Sequence, residues 1–411
     1  MGASFIDSDH QLIQSLAHEL GLNLVKLKNP QGGRENRIYW FDKLVTPDNL
    51  FESFLPTLKQ IQSDIDQIAK EREFLKPEQL SLKENKLDQL TIEQYLKNLN
   101  APPLFMRLAD ATQFTEYGAR INKLNALLLH ELISIDLENK YFVMDGNLGD
   151  EGQKIEGGNS LLTDKLAKEL TYPINFSHKL LEISFKQENN TYKLLFENDT
   201  HHKLIEADYV IVALPNPVLK NDIKMDHKTL LTPKISRVIN ELGYGNVTKF
   251  IMKFSQAPWR KNTSDLAEIM SDNYDIWDSS FHEKGNKLFH LTIYMGEPQS
   301  LKNMEDSADL FAKKVLEHLE RLYPDIHKFY LGYEPSIHWP SNPLFQGAFS
   351  GVLLPGQWHM RRFMQSPGVH NLALAGEQWS FEHAGFMEGA LESGQWAADY
   401  IGKKVLAYQN N

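Results

Sequence analysis

A chain of 411 residues, 42% hydrophobic and 11% aromatic, is long and apolar enough for two domains with separate cores. Its 43 basic and 54 acidic residues leave a formal net charge of −11, which argues against nucleic acid or an anionic membrane surface as partner. There is no cysteine, so disulfides, thiolate-bound metals, iron–sulfur clusters and any cysteinyl bond to a prosthetic group are excluded. A reducing cytoplasm suits that composition. No apolar run approaches the length of a membrane span, and the N-terminus lacks a basic region followed by an apolar one. Met1-Gly2 opens like a myristoylation signal, but Ile6 holds the position that should be Ser or Thr. The chain therefore reads as soluble and cytoplasmic.

Taken in order, Leu12–Leu20 has helical spacing and ends at Gly21, a C-cap residue. Asn36–Phe41 reads as a strand leading into a mainly helical stretch from Pro47 to Ile135. Within that stretch Phe54–Glu73 is amphipathic, and Thr91 with Gln94 predicts a capping box for a helix over Ile92–Leu99. Pro102-Pro103 breaks the pattern before a further helical run, Arg107–Leu132. Gly157-Gly158-Asn159-Ser160 precedes a helix over Leu161–Leu170. Strands are expected at Leu180–Phe185 and Tyr192–Phe196, with His201-His202 in a turn between strands. Ala207 to Leu214 reads as a strand buried on both faces and stopped by Pro215. From about Pro217 to Pro343 helix and strand alternate. Leu372–Ala375 is then a short buried strand, Gly376-Glu377 a turn, and Met387–Tyr400 a helix with small residues recurring on one face.

A strand, a glycine turn and a helix with an uncluttered first turn suit a backbone that must approach a ligand closely. The helix N-terminus offers free N–H groups and partial positive charge. Alone, the same segment also reads as a small-residue helix packed on a sheet. A dinucleotide-binding chain opens with strand, Gly-x-Gly-x-x-Gly, helix, strand and an acidic residue for the ribose, and no such unit is present. Gly243-Tyr244-Gly245 has Thr248 where the third glycine belongs, and it follows a helix instead of a strand. Gly32-Gly33-Arg34 has no strand–helix unit before it and reads as an ordinary turn. Lys249 alternates with Val247 and Ile251 on an apolar strand. Burying an unpaired lysine there would be costly, which favours a functional role over a solvated edge position. None of the 15 histidines has metal-ligand spacing.

These segments, in this order, resemble the flavin-dependent amine oxidases. Leu374 to Glu377 and Gly385 to Gly394 resemble the family's C-terminal FAD-contacting motif, whose helix end faces the pyrimidine side of the flavin. Gly2-Ala3-Ser4-Phe5-Ile6 resembles a motif that in the family comes just after the missing unit. Gly157-Gly158-x-Ser160, the strand ending Val212-Ala213-Leu214-Pro215, and Leu180, which matches the position whose backbone meets the adenine, follow the same pattern. Lys249, ahead of Pro258-Trp259-Arg260, matches the lysine that holds a water near flavin N5, and Trp339-Pro340 resembles the pair packed beside the ring. In Gly347-Ala348-Phe349-Ser350, Ala348 stands where a monoamine oxidase can carry the cysteine that bonds the flavin. Phe349 and Phe386 resemble the two-walled aromatic cage, often a tyrosine pair. Phenylalanine keeps the quadrupole and the apolar wall and loses the hydroxyls.

The resemblance implies an α/β fold, with a Rossmann-like FAD-binding domain lacking its N-terminal βαβ unit, an α+β substrate domain and a helical insertion. The expected boundaries are 1–45, 151–216 and 344–411 for the FAD side, 46–150 for the helical part, and 217–343 for the rest of the substrate domain. It implies non-covalent FAD contacted by Gly2, Ala3, Ser4, Gly157, Gly158, Ser160, Leu180, Trp339, Gly376, Glu377, Gly385, Met387 and Glu388, and no metal. Lys249, Phe349 and Phe386 would act on the substrate, a small-molecule amine oxidised to an imine with O2 as acceptor. A second polypeptide or partner protomer would supply the missing unit. Two other readings stay open: a flavin-free pseudoenzyme or scaffold, and a flavin amino acid oxidase in which Arg107 or Arg120 pairs the substrate carboxylate.

Overall fold

Strand Val247–Phe254 organises the larger sheet by period-2 alternation, turning Phe250, Met252 and Phe254 into one core and Lys249 and Ile251 the other way. It pairs antiparallel with Phe289–Gly296 along its whole length, from Val247 opposite Gly296 to Phe254 opposite Phe289. Tyr330–Tyr333 and Ile337–His338 take its other edge. Beyond Phe289–Gly296 the sheet continues through Asp275–Asp278 and Glu268–Met270 to Ile38–Trp40 and Lys43–Val45. Helix Ala308–Leu322 covers the face of Phe250 and Ile293 with Ala312, Val315 and Leu319. The computed structural model describes residues 2–27, 38–40, 43–45, 47–76, 78–144, 152–198, 201–260, 268–280, 287–296, 308–335, 337–364 and 369–409. The Gly32-Gly33-Arg34 turn lies outside them.

The helical part starts with Pro47–Arg72, followed by Leu82–Leu87 and Ile92–Asn98. The box at Thr91 forms as the sequence implies: Gln94 N–H donates to Thr91 Oγ1 at 3.1 Å, and Thr91 N–H to Gln94 Oε1 at 3.0 Å. The long helical run expected over Arg107–Leu132 is instead two helices, Pro103–Glu116 and Ala126–Leu132. The break falls at Gly118, just past the C-cap Tyr117, where a left-handed residue ends the helix and only glycine fits. Gly118 adopts φ +65°, and a Cβ there would lie 2.6 Å from the backbone nitrogen of Asn246, which leads into the central strand.

On the opposite side Lys179–Lys186, Thr191–Asn198 and His201–Ala207 form an antiparallel meander, with Lys224–Met225 added in parallel. His201 and His202 therefore open a strand and do not form the expected turn. Val210–Val212 pairs in parallel with Leu372–Leu374. Leu372, Ala373 and Leu374 are buried, but Ile211 is 45% exposed, against the expectation of a strand buried on both faces. Among the described residues that strand has one neighbour, so its outer edge is uncovered. Helix Met387–Gln409 packs Ala397 on Ala373 and Ala375, and helix Gln11–Glu19 packs Ile13 and Ala17 with Ile6, Ile155 and Leu162 beside it. The result is a mixed α/β fold with a Rossmann-like side and a larger, mostly antiparallel sheet. Among the described residues no helix is long and apolar enough to cross a membrane.

Candidate active site

The N-terminal segment is strung between the two halves of the fold. Lys249 Nζ donates to Gly2 O and to Ser4 Oγ, both at 2.8 Å. Two of the ammonium donors are thus satisfied, which offsets part of the desolvation cost of its half-buried position on an apolar strand. Its ammonium also lies 5.6 Å from the ring of Tyr294, its cross-strand partner, and 6.0 Å from that of Trp277. Asn159 Nδ2 donates to Ala3 O at 3.1 Å, and Ile6 exchanges both backbone hydrogen bonds with Gln153. Gly2, Ala3, Ser4 and Lys249 are thereby brought beside the Gly157–Ser160 turn. Gly157 (φ +86°) and Gly158 (φ +109°) stand exposed at the head of helix Ser160–Glu169, and a Cβ on Gly158 would meet nothing within 4 Å. That open, glycine-lined helix end is suited to an electron-rich ligand.

Phe349 and Phe386 sit on two neighbouring loops. Gly245 N–H donates to Phe349 O at 2.8 Å and Ala348 N–H to Gly245 O at 2.9 Å, which pins the Gly347–Phe349 loop at the head of the Lys249 strand. A Cβ on Gly385 would lie 3.8 Å from Phe349 Cδ2, so the Phe349 ring and the turn carrying Phe386 are neighbours. Glu377 holds that arrangement. Its carboxylate accepts from Ser350 N–H at 3.0 Å, Ser350 Oγ at 2.6 Å and Gly385 N–H at 2.6 Å. Burial pushes its pKa up, partly offset by these hydrogen bonds. Gly376 sits at φ +130°, and Ser393 Oγ accepts from its N–H at 3.0 Å and donates to its C=O at 2.7 Å.

Glu388 accepts from Leu12 N–H at 2.8 Å and Ile13 N–H at 2.9 Å, capping the start of helix Gln11–Glu19 from the far end of the chain. Met387 packs in the same small core as Ile13. Trp339 follows the short strand paired with Thr248 and Lys249, and its ring meets Phe345 edge-on at 5.3 Å. Leu180 is half-buried in the separate meander.

Both arginines of the amino acid reading are engaged. Arg107 bonds the two carboxylate oxygens of Asp272 at 2.8 and 2.6 Å. Arg120 bonds Asp110, Asp272 O and Asn273 and lies 3.6 Å over the ring of Phe114. Tyr294 and Trp277, which flank Lys249, were not legible as site residues, because only strand pairing brings them to it. Asn159 was visible as part of a glycine turn, but its bond to Ala3 spans 156 residues.

The flavin-containing amine oxidoreductase profile matches residues 1–402, and the chain belongs to that family. It is 23% identical to a probable flavin-containing monoamine oxidase A of Dictyostelium discoideum, over 99% of this chain and 87% of that protein. It is 25% identical to the flavin-containing amine oxidase B of Sus scrofa, over 98% of this chain and 76% of that protein. A wild-type putrescine oxidase solved with putrescine superposes with a TM-score of 0.73 at 18% identity, over 97% of this chain and 87% of that one.

Proposed function

We propose that this chain carries the substrate site and part of the cofactor site of an oxidase that converts a small primary or secondary amine to an imine, with O2 as acceptor. The observation that carries the reading is the junction of Lys249 with Gly2 and Ser4, beside the loops that bear Phe349 and Phe386. Bound non-covalently, FAD would supply the acceptor of the hydride equivalent lost from the carbon next to nitrogen. Gly157, Ser160 and the head of helix Met387–Gln409 would offer it backbone N–H groups, while Gly158, Gly376 and Gly385, whose N–H groups bond within the protein, would allow it a close approach. Phe349 and Phe386 would orient a neutral amine between apolar faces and exclude water. Lys249 would hold a water or oxygen close to the reacting centre, its cation stabilising developing negative charge. No strong general base is needed when the amine enters uncharged. The occupied state of Arg107 and Arg120 disfavours an amino acid substrate.

The 411 residues contain no Gly-x-Gly-x-x-Gly turn for the pyrophosphate. Each charge-assisted hydrogen bond it would give contributes roughly 1.5–3 kcal/mol, so tight FAD binding calls for that unit from a second polypeptide, a partner protomer or a further segment. The edge of Val210–Val212 supports this. Val210 and Val212 direct their backbone groups to the Leu372 strand, leaving those of Ile211 on the open side. An edge strand whose N–H and C=O groups are unpaired is a template for a further strand. The test is the visible spectrum after adding excess FAD and desalting, with and without a separately expressed βαβ dinucleotide-binding polypeptide. Retained flavin bands with that polypeptide are expected. A folded, colourless protein under every condition favours the flavin-free scaffold.

A further inference from the structure

Phe386 is 49% exposed, yet the reading above makes it a wall whose orientation matters. What holds its ring is His10, which lies 5.2 Å away at 63° and also meets His383 edge-on at 5.3 Å. His10 is 3% exposed and fixed in place, its Nδ1 accepting from Asp7 N–H at 3.2 Å and its Nε2 lying 3.5 Å from the Asp7 carboxylate. The His383 imidazole is held in turn by Glu392 at 2.8 Å. His10 stands at the N-cap of helix Gln11–Glu19 but makes no side-chain cap; Glu388, two residues after Phe386, caps that helix instead. Residues 2–13 thus form one strap, tied at one end to Lys249 through Gly2 and Ser4 and at the other to Phe386 and Glu388.

We propose that His10 is a positioning residue of the amine site: through the Gly2–Ile13 strap it fixes the Phe386 ring and so sets affinity for the substrate amine. The proposal rests on Phe386 being a wall of that site. Ring contact is what matters, so His10→Ala removes the support whereas His10→Phe keeps an edge-on neighbour. In the flavin-loaded protein His10→Ala raises KM for the amine roughly two- to tenfold, the value of one edge-on aromatic contact, with little change in kcat. His10→Phe restores KM. Para-fluorophenylalanine at position 386 gives a readout that needs neither flavin nor amine. Its fluorine resonance is single and narrow in the parent chain, shifts and broadens in His10→Ala, and recovers in His10→Phe. An unchanged resonance in His10→Ala overturns the proposal. A changed resonance with unchanged KM leaves His10 as the support of Phe386 and removes Phe386 from the substrate site.

Discussion

Two glycines of the C-terminal helix are predicted to respond in opposite directions to the same substitution. Alanine is favoured over glycine inside a helix by about 0.5–1 kcal/mol, and both Gly389 and Gly394 lie within Met387–Gln409. At Gly394 a Cβ meets nothing within 4 Å, so Gly394→Ala keeps the whole gain. At Gly389 the same atom would lie 2.1 Å from His383 O and 2.8 Å from Ser380 Cβ. The first is a backbone atom, so the turn preceding the helix must move by about an ångström, an overpacking that costs about 1–3 kcal/mol. The propensity gain is common to both variants, so the difference between them isolates the clash at about 1–3 kcal/mol. The assay is thermal and urea unfolding of the two variants beside the parent chain, in which 1 kcal/mol moves Tm by roughly 2–4 °C for a domain of this kind. Gly394→Ala should raise the midpoint and Gly389→Ala lower it. Equal stabilisation by both would refute the close seating of the helix head on the 380–383 turn, and with it the geometry that presents Phe386.

Glu388→Ala leaves the N–H groups of Leu12 and Ile13 without their acceptor and should cost about 1–3 kcal/mol, with faster hydrogen exchange at those two amides; unchanged exchange would contradict the capping. His130 is half-buried as a residue, but both its ring nitrogens are buried and unbonded, and that burial pushes its pKa down to about 4. The native state therefore keeps it neutral while the unfolded chain takes up a proton near its ordinary value. Stability from this group is complete above about pH 6.5 and falls by about 3 kcal/mol as pH drops toward 4. His130→Leu should flatten that part of a Tm–pH profile, and an identical slope in both proteins would exclude His130 as its source.

Features set by local chemistry were the ones legible from sequence. The capping box at Thr91 and Gln94 needs residues only three apart, and the Leu372–Leu374 strand, Gly376 turn and following helix form one continuous segment. What stayed hidden depends on distant partners. Lys249 was readable as an unusual lysine on an apolar strand, but its hydrogen bonds reach back 245 and 247 residues to Ser4 and Gly2. The Glu377 and Glu388 carboxylates suggested ligand contact by sequence position, yet backbone N–H groups of Ser350, Gly385, Leu12 and Ile13 occupy them. Helical periodicity through Arg107–Leu132 concealed the break at Gly118, because the need for a glycine there is set by the distant backbone of Asn246. The apolar run at Val210–Val212 looked fully buried since composition reports what a strand can bury, and only its neighbours decide what it does bury.

The central claim, that the site oxidises amines, is tested most directly by anaerobic mixing. The flavin-loaded protein, supplied with a dinucleotide-binding unit where FAD retention requires one, is mixed with a panel of primary and secondary amines while the oxidised-flavin absorbance is followed. The account predicts bleaching by at least one small amine, recovery of the band when O2 is admitted, and slower recovery in Lys249→Met. Retained flavin that no amine bleaches would contradict it.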